Sequence, residues 1–325
     1  MESIMDVLSN GLKTVKNNKV LFIPGAVFGI FSILLTALIV LVAYFLDSMS
    51  ENVGINVAII LFAFICFLLL NFILFAYVTA GITGMAKEAA ATGKTGMVHF
   101  WAYAKQFFKR ILMVKIIFFL LAAASLIFFI PVFYIIIEAV LNNSMDGFFS
   151  KLGMLIGFMR IGFVLTLIYL LILYVLFFFI GCNTVVDNFS VIESYKKSVS
   201  LLKEKTFRVM AFIIIYFIIY IGLFLLVEVF ARIAISLVLS LIVPINDLMF
   251  VRLYVEPPIS SSLRMIFNMI FMTVSTVLIT RFYMATTEKP LYVKENYVGG
   301  NYVEEKSVEE NSVEENDVGE NLTNN

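Results

Sequence analysis

Long apolar runs separated by short polar segments dominate the first 287 positions of the chain. Six runs have the length of about 20 residues that a helix needs to cross the hydrocarbon core of a bilayer. They predict membrane-spanning helices at residues 20–46, 55–86, 111–141, 161–182, 207–227 and 263–285. Pro131 divides the third run and predicts a kink there. We therefore expect an all-α polytopic membrane protein with six transmembrane helices.

One apolar segment is too short to fit this pattern. Residues 233–243 follow the fifth run and end immediately before Pro244. The segment is either a continuation of the fifth helix or a segment that lies in the membrane interface, and the sequence leaves both interpretations open. The stretch that follows, residues 246–262, contains Pro257 and Pro258 and is predicted to be the longest loop between spans.

An amphipathic stretch with helical spacing precedes the first, third and fifth runs. The predicted apolar faces are Ile4, Leu8, Leu12 and Val15; Met97, Trp101, Ala104 and Phe108; and Val191, Tyr195, Val199 and Leu202. Leu8, Trp101 and Tyr195 stand 93 and 94 positions apart. This period predicts three repeats, residues 1–94, 95–188 and 189–287, each an amphipathic helix followed by a membrane hairpin. The alternative is that three basic stretches before membrane spans resemble one another by composition alone.

These basic amphipathic stretches carry the candidate lipid contacts. A basic helix with aromatic residues on its apolar face lies in the headgroup plane of a bilayer, where lysine attracts anionic lipid. The candidate interfacial contacts are Lys16, Trp101, Lys109, Tyr195 and Lys203. The three helices either recognise headgroups in this way or only orient the hairpins.

Lysine and arginine are distributed unequally between the two sides of the predicted membrane domain. With six spans both termini lie on one side, and that side carries fifteen of these residues, Lys115 among them, against five on the other. Because positive residues concentrate in cytoplasmic loops, both termini are predicted to be cytoplasmic.

Composition excludes a soluble globular domain. The chain is 62% apolar and only 14% charged, with a mean hydropathy of +1.01, whereas a soluble domain has about 25% charged residues. The net charge of zero conceals an acidic end, since residues 288–325 hold ten acidic and three basic residues. A five-residue repeat in this segment predicts a disordered tail, which is either simply solvated or a docking strip for a basic protein partner.

Few ionisable residues fall within the predicted spans. Glu138, Glu228 and Arg232 lie near the outer ends of their spans and form a candidate outer-face polar site. The alternative for Glu228 and Arg232, four positions apart, is a local ion pair at the interface. Small residues predict close helix packing at Gly25 and Gly29, at Ala76, Ala80 and Gly84, and at Gly153 and Gly157.

Motifs of catalysis and of cofactor binding are absent from the sequence. It contains no nucleophile elbow, zinc-protease motif, P-loop or dinucleotide fingerprint. His99 is its only histidine, and Cys66 and Cys182 lie in or beside apolar runs. We therefore expect no enzyme activity, no cofactor, no metal site and no nucleic-acid partner, and we expect membrane lipids as the main partners.

Two loop-and-helix segments carry a resemblance to a known family. They are residues 96–114, which enter the third span, and residues 185–209, which enter the fifth and contain Tyr195 and Ser198 three positions apart. Residues 1–287 resemble a large prokaryotic, mainly archaeal family of six-span membrane proteins with a domain of unknown function. More distantly, they resemble the membrane region attached to some glycerophosphodiester phosphodiesterases. The resemblance implies a prokaryotic plasma membrane and supplies no catalytic residues.

These features favour a non-enzymatic function. The first interpretation is a membrane-embedded scaffold or accessory protein in envelope or lipid organisation. A transporter of a lipid or small amphiphile is the alternative, and a lipid-modifying enzyme is a third that the absent motifs argue against. A cavity between the repeats would favour transport, whereas a solidly packed centre would favour the scaffold. The sequence leaves the substrate, the partner and the oligomeric state open.

Overall fold

The computed structural model of the chain describes residues 2–49, 53–141, 151–242, 256–289 and 291. Every regular element in these residues is helical. In chain order the helices are α1 (Ile4–Asn17), α2 (Phe22–Met49), α3 (Val53–Thr92), α4 (Met97–Ala123), α5 (Ile130–Leu141), α6 (Leu152–Phe177), α7 (Ile180–Val186), α8 (Val191–Glu204), α9 (Thr206–Ile242) and α10 (Glu256–Thr286). Residues 292–325, which make up nearly all of the predicted acidic tail, lie outside the described residues.

Six helical segments of the described chain are long and apolar enough to cross a membrane, which confirms the all-α polytopic fold. They are Lys19–Leu38, Ala58–Thr92, Met97–Glu138, Leu152–Val186, Thr206–Phe230 and Arg264–Thr286. The third is interrupted by a 3₁₀ segment, Ala124–Phe129, immediately before α5. Pro131 stands in the first turn of α5, where proline is tolerated because its missing N–H would have no helical partner. The 3₁₀ segment ends two positions before Pro131, and the kink at this proline stays a prediction.

The structure after the fifth span distinguishes the two interpretations of residues 233–243 and corrects the predicted loop at 246–262. Helix α9 runs without a break to Ile242, so residues 233–242 continue the fifth helix. The loop predicted at 246–262 is wrong in its last part, because α10 already begins at Glu256. Pro257 and Pro258 occupy its first turn, where they fit a helix start. Residues 243–255 lie outside the described part of the chain.

Three helix starts share the same kind of local structure. The Ser3 hydroxyl accepts a hydrogen bond from the backbone N–H of Asp6 at 3.1 Å, and Ser190 accepts one from that of Glu193 at 3.4 Å. In α4 the relationship is reversed, since the Gly96 N–H donates to Nδ1 of His99 at 3.3 Å. Each bond satisfies a donor that helix termini otherwise leave free. The three start positions are separated by 93 and 94 residues.

Polar side chains tie the end of each amphipathic segment to the exit of the hairpin that follows it. Residues with a positive φ, Gly93, Asn188 and Glu288, stand at these three exits, as expected where a helix ends in a left-handed residue. The bonds run from Asn18 Nδ2 to the Gly93 carbonyl at 3.0 Å, from Arg110 Nη1 to Asn188 Oδ1 at 2.7 Å, and from Lys205 Nζ to the Thr286 carbonyl at 2.5 Å. We call the end of the bundle that holds α1, α8 and these three exits the basic end.

Each amphipathic segment packs on the second helix of another hairpin. The start of α4 packs on α3, α8 packs on α7, and α1 packs on α10. Hydrogen bonding joins the second pair, where the hydroxyls of Thr184 and Ser194 lie 3.0 Å apart. In the third pair, Gly11 of α1 faces the side chain of Leu278. Among the described helices, the first therefore packs on the last.

The faces by which the amphipathic segments pack on the bundle coincide only in part with the predicted apolar faces. Leu12, Trp101 and Tyr195 are exposed, by 53%, 51% and 41% respectively. The buried positions include Leu8, Val15 and Ala104 of the predicted faces. The others lie mostly one residue earlier, namely Val7, Gly11 and Thr14; Phe100 and Phe107; and Ser194, Ser198 and Leu201. In addition, the second segment continues into its span as one helix, α4, and is not a separate element.

Two of the three predicted small-residue contacts occur. A side-chain carbon placed on Gly29 would overlap Met269 of α10, and one placed on Gly84 would lie 2.1 Å from Cγ of Tyr103 in α4. Gly153 and Gly157 of α6 have no described atom within 4 Å of such a carbon. The prediction of close packing there is wrong for the described residues, so a pair of small residues four apart is not sufficient to identify a contact.

Candidate functional site

A cavity of about 550 Å³ lies among α3, α4, α6 and α7. Its walls are mainly aromatic, formed by Phe72, Phe75, Phe118, Phe119, Tyr174, Phe177 and Phe178. Ile279 of α10 also reaches it, so residues from all three predicted repeats contribute. Phe119 is 63% exposed, which places part of the wall at the surface of the bundle. The size and apolar lining are typical of a site for a small ligand.

Lys115 is the single charged side chain among the residues that line this cavity. It belongs to α4, and its Nζ lies over the face of the Phe75 ring, 3.7 Å from the ring centroid. Within residues 2–49, 53–141, 151–242 and 256–289, no ion pair or hydrogen bond to the ammonium occurs. A ring face attracts a cation but does not neutralise its charge. Lys115 is therefore a positive group available to a ligand.

Small residues allow the helices around this cavity to take their positions. Helices α3 and α4 form an antiparallel pair, and Ala76, Ala80 and Ala104 are fully buried between them and their neighbours. On the opposite wall, α6 ends at Phe177 and α7 begins at Ile180, which interrupts the fourth span beside the cavity. Gly181 lines the cavity there, and no described atom lies within 4 Å of the side-chain carbon it lacks. A larger residue at this position would project into open space.

Two hydroxyls add limited polarity to the cavity. Thr79 donates its proton to the Phe75 carbonyl at 2.6 Å, so its oxygen remains able to accept a hydrogen bond. Tyr174 packs its ring against Phe178 and Phe217, at centroid distances of 5.5 and 5.1 Å. The cavity thus combines one cation and two hydroxyls with apolar walls, which is the pattern of an amphiphile site.

A second cavity, of about 390 Å³, lies between α4, α6 and α8. Tyr195, a predicted lipid contact, lines it together with Ile192 of the same helix. The Tyr195 ring lies 6.1 Å from that of Phe177, which also lines the larger cavity. No charged residue contributes to this second space, so it can accept a hydrocarbon chain but cannot select a headgroup.

The predicted interfacial contacts are at the surface of the protein. Lys16, Lys109 and Lys203 are exposed, as are Trp101 and Tyr195. The Trp101 ring packs beside Tyr77 and Phe100, at centroid distances of 6.3 and 5.1 Å. These positions are compatible with lipid contact, and the contact itself stays a prediction.

The predicted outer-face residues form three ion pairs in two separate groups. Glu138 pairs with Lys151 at 2.6 Å. Glu228 pairs with Arg232 at 2.8 Å and also with Arg264 of α10 at 2.5 Å. No hydrogen bond or ion pair links Glu138 to Glu228 in the described chain. Lys151 and Arg264 were missed as partners because each is far along the chain from the carboxylate that it binds.

Buried polar side chains also occur at the basic end. The Arg281 side chain is 2% exposed, and its Nη2 lies 3.3 Å from Glu2 Oε1. Its Nη1 donates to the Thr14 hydroxyl at 3.5 Å, so one residue of α10 binds two positions at the start of the chain. Asn183 donates to the Ser194 carbonyl at 2.8 Å and joins α7 to α8. These bonds connect helices and explain how polar residues remain buried.

The described residues hold no group of three or more histidine, cysteine or acidic side chains that could bind a metal ion. Residues 3–286 match the sequence profile of a domain of unknown function, DUF7847. The chain belongs to the DUF7847 family. The match covers all six membrane-spanning segments and the residues that line both cavities. No curated protein and no solved structure matches the chain, so the likeness to phosphodiesterase membrane regions gains no support from a relative.

Proposed function

We propose that the protein is a non-enzymatic lipid-binding accessory protein that holds an amphiphile in the larger cavity. The observation that carries this proposal is the combination of about 550 Å³ of aromatic-walled space with a single unpaired lysine. A site for a polar solute would need several converging polar groups, whereas this one has hydrocarbon-like walls. The cavity also reaches the bundle surface at Phe119, from which a lipid could enter sideways.

The location that we propose is a prokaryotic plasma membrane with both termini in the cytoplasm. Lys16, Lys109 and Lys203 then face anionic headgroups at the basic end, which fits the excess of positive residues there. Trp101 and Tyr195 supply aromatic contacts at the same level. In this arrangement Glu138 and Glu228, each paired with basic residues, lie toward the outer face.

We also propose that the domain consists of three repeats, residues 1–94, 95–188 and 189–287. Support comes from helix starts at matching intervals, from the three similar bonds at hairpin exits, and from the packing of α1, α4 and α8 on helices of other repeats. Such parallel repeats are related by an axis along the membrane normal.

A transporter of lipids or small amphiphiles is the second candidate. The observation that favours it is the position of the cavity between contributions from all three repeats, because transport sites commonly lie at repeat interfaces. A scaffold function without a ligand site is less favoured, since the space between these helices is not solidly packed.

A photoactivatable phospholipid with the reactive group on its acyl chain tests the proposal. After illumination in reconstituted bilayers, labelled peptides should concentrate in α3, α4 and α6. Gly181→Leu should reduce that labelling because the new side chain enters the cavity, whereas Gly222→Leu, at an exposed glycine with no described atom near it, should not. Equal labelling of the whole lipid-facing surface, unaffected by Gly181→Leu, would contradict lipid binding in the cavity.

A further inference from the structure

Lys115 has a charge that the described protein does not neutralise. Its surroundings in the cavity are the aromatic face of Phe75, the hydroxyl of Thr79 and apolar side chains. The charged groups nearest to it along α4, Lys109 and Arg110, are also positive. An unpaired cation at membrane depth is costly, and such residues commonly mark a substrate or ligand position.

The side chain is directed toward the level of the headgroups. Lys115 lies five positions beyond Arg110, which binds the hairpin exit at the basic end, so its backbone is about 7.5 Å deeper along the helix axis. Side chains of an α-helix lean toward its N-terminus, and the N-terminus of α4 is at the basic end. The ammonium therefore lies near the boundary between headgroups and acyl chains.

The walls beyond Lys115 suit a hydrocarbon chain. Phe118 and Phe119 continue along α4 in the direction away from the basic end, with Phe72 opposite them on α3. An amphiphile with its head at Lys115 would therefore place its chain along these residues, deeper in the membrane. The bound amphiphile then has the same orientation as a lipid in the adjoining leaflet, with its head toward the basic end and its chain toward the membrane interior.

We propose that the cavity selects amphiphiles with an acidic headgroup, phosphate or carboxylate, which binds the Lys115 ammonium. This inference rests on the proposed lipid-binding function and adds the class of ligand. Lysine is a compact point charge that binds both kinds of anion. A zwitterionic headgroup brings its own cation next to Lys115, so phosphatidylcholine is a poorer ligand. Where the headgroup also carries a hydroxyl, the Thr79 oxygen accepts a hydrogen bond from it.

Native mass spectrometry of protein in phosphatidylcholine nanodiscs tests this selectivity. Separate nanodiscs contain phosphatidylglycerol, phosphatidic acid or a long-chain fatty acid, so that the phosphate and carboxylate sources are distinguished. The unaltered protein should retain an acidic amphiphile in preference to phosphatidylcholine. Lys115→Met should reduce that preference about tenfold, the factor expected for a lost charge-assisted hydrogen bond, and Lys115→Arg should retain it.

Two controls separate the possible failures. Lys105→Met removes an exposed lysine from the same helix and should leave the preference unchanged. The thermal stability of each variant establishes that it is folded. Lys115→Met should not lower it, because the thioether replaces the ammonium on the Phe75 ring with another favourable contact and removes an unpaired charge. If the cavity retains lipid with no preference for acidic headgroups, or if Lys115→Met keeps the preference, this inference is wrong while the proposed function stands. Retention of no amphiphile at all would overturn both.

Discussion

The contact between Gly84 of α3 and Tyr103 of α4 permits a direct test of the packing beside the cavity. A methyl group on Gly84 would lie 2.1 Å from Cγ and 2.2 Å from Cβ of Tyr103, whereas carbon atoms in contact are about 3.5–4.0 Å apart. Rotation about the side-chain bonds of Tyr103 moves the ring but leaves Cβ in place, so a change of rotamer does not remove the overlap. Gly84→Ala must therefore separate the two helices.

The expected loss of stability follows from three contributions. Overpacking of this kind costs about 1–3 kcal/mol, and the overlap with Cβ places Gly84→Ala near the upper limit. Separation of the helices also weakens the hydrogen bond from Tyr103 to Glu88, which contributes about 1 kcal/mol. Alanine recovers about 1 kcal/mol through its higher helix propensity. The net loss is about 2–3 kcal/mol.

Thermal unfolding in detergent, followed by circular dichroism, measures this loss. Gly84→Ala should lower Tm by about 5 °C, as expected for a loss of this size. The matched control is Gly222→Ala, whose added methyl group meets no described atom within 4 Å and which should keep or slightly raise Tm. Our account of the α3–α4 contact is refuted if Gly84→Ala folds and its Tm equals or exceeds that of the unaltered protein.

Three further perturbations address the basic end. Arg281→Met should increase amide hydrogen exchange in α1, because it removes the contacts to Glu2 and Thr14; unchanged exchange there would show that α1 is held by its apolar contacts alone. Phe282→Ala should cost about 3–5 kcal/mol in chemical unfolding, since it leaves a cavity in a fully buried cluster, and a loss below about 1 kcal/mol would contradict that packing. The backbone N–H and the hydroxyl of Ser190 hold the pKa of the Glu193 carboxyl below its usual range. Ser190→Ala should therefore raise that pKa in an NMR titration. An unchanged pKa would exclude the hydroxyl as a cause.

The number and order of the membrane spans could be predicted from hydropathy, because each span must hold about 20 apolar residues regardless of its neighbours. The faces of the amphipathic segments could not, because they depend on the surface against which each segment packs. Ser194 and Ser198 are polar and fully buried, since α6 and α7 offer them hydrogen-bond partners. Trp101 is apolar and exposed. Periodicity alone identified an apolar face that it directed toward lipid, and it did not identify the face that packs on the bundle.

The sequence did not identify Lys115, the principal residue of the candidate site, as a ligand-binding residue. Lys115 was assigned to the basic side of the membrane with the loop lysines, although it falls inside the third apolar run, 111–141. That position within the run was the available signal. What the sequence could not supply was the cavity, because α3, α6 and α7 contribute walls from distant parts of the chain.

Native mass spectrometry of the protein released from its own membrane tests the central claim most directly. The account predicts one stoichiometrically retained amphiphile with an acidic headgroup, and its loss in Gly181→Leu, whose side chain occupies the cavity. Retention of only exchangeable bulk lipid, in the same amount for the unaltered protein and Gly181→Leu, would contradict a specific lipid site in the DUF7847 domain.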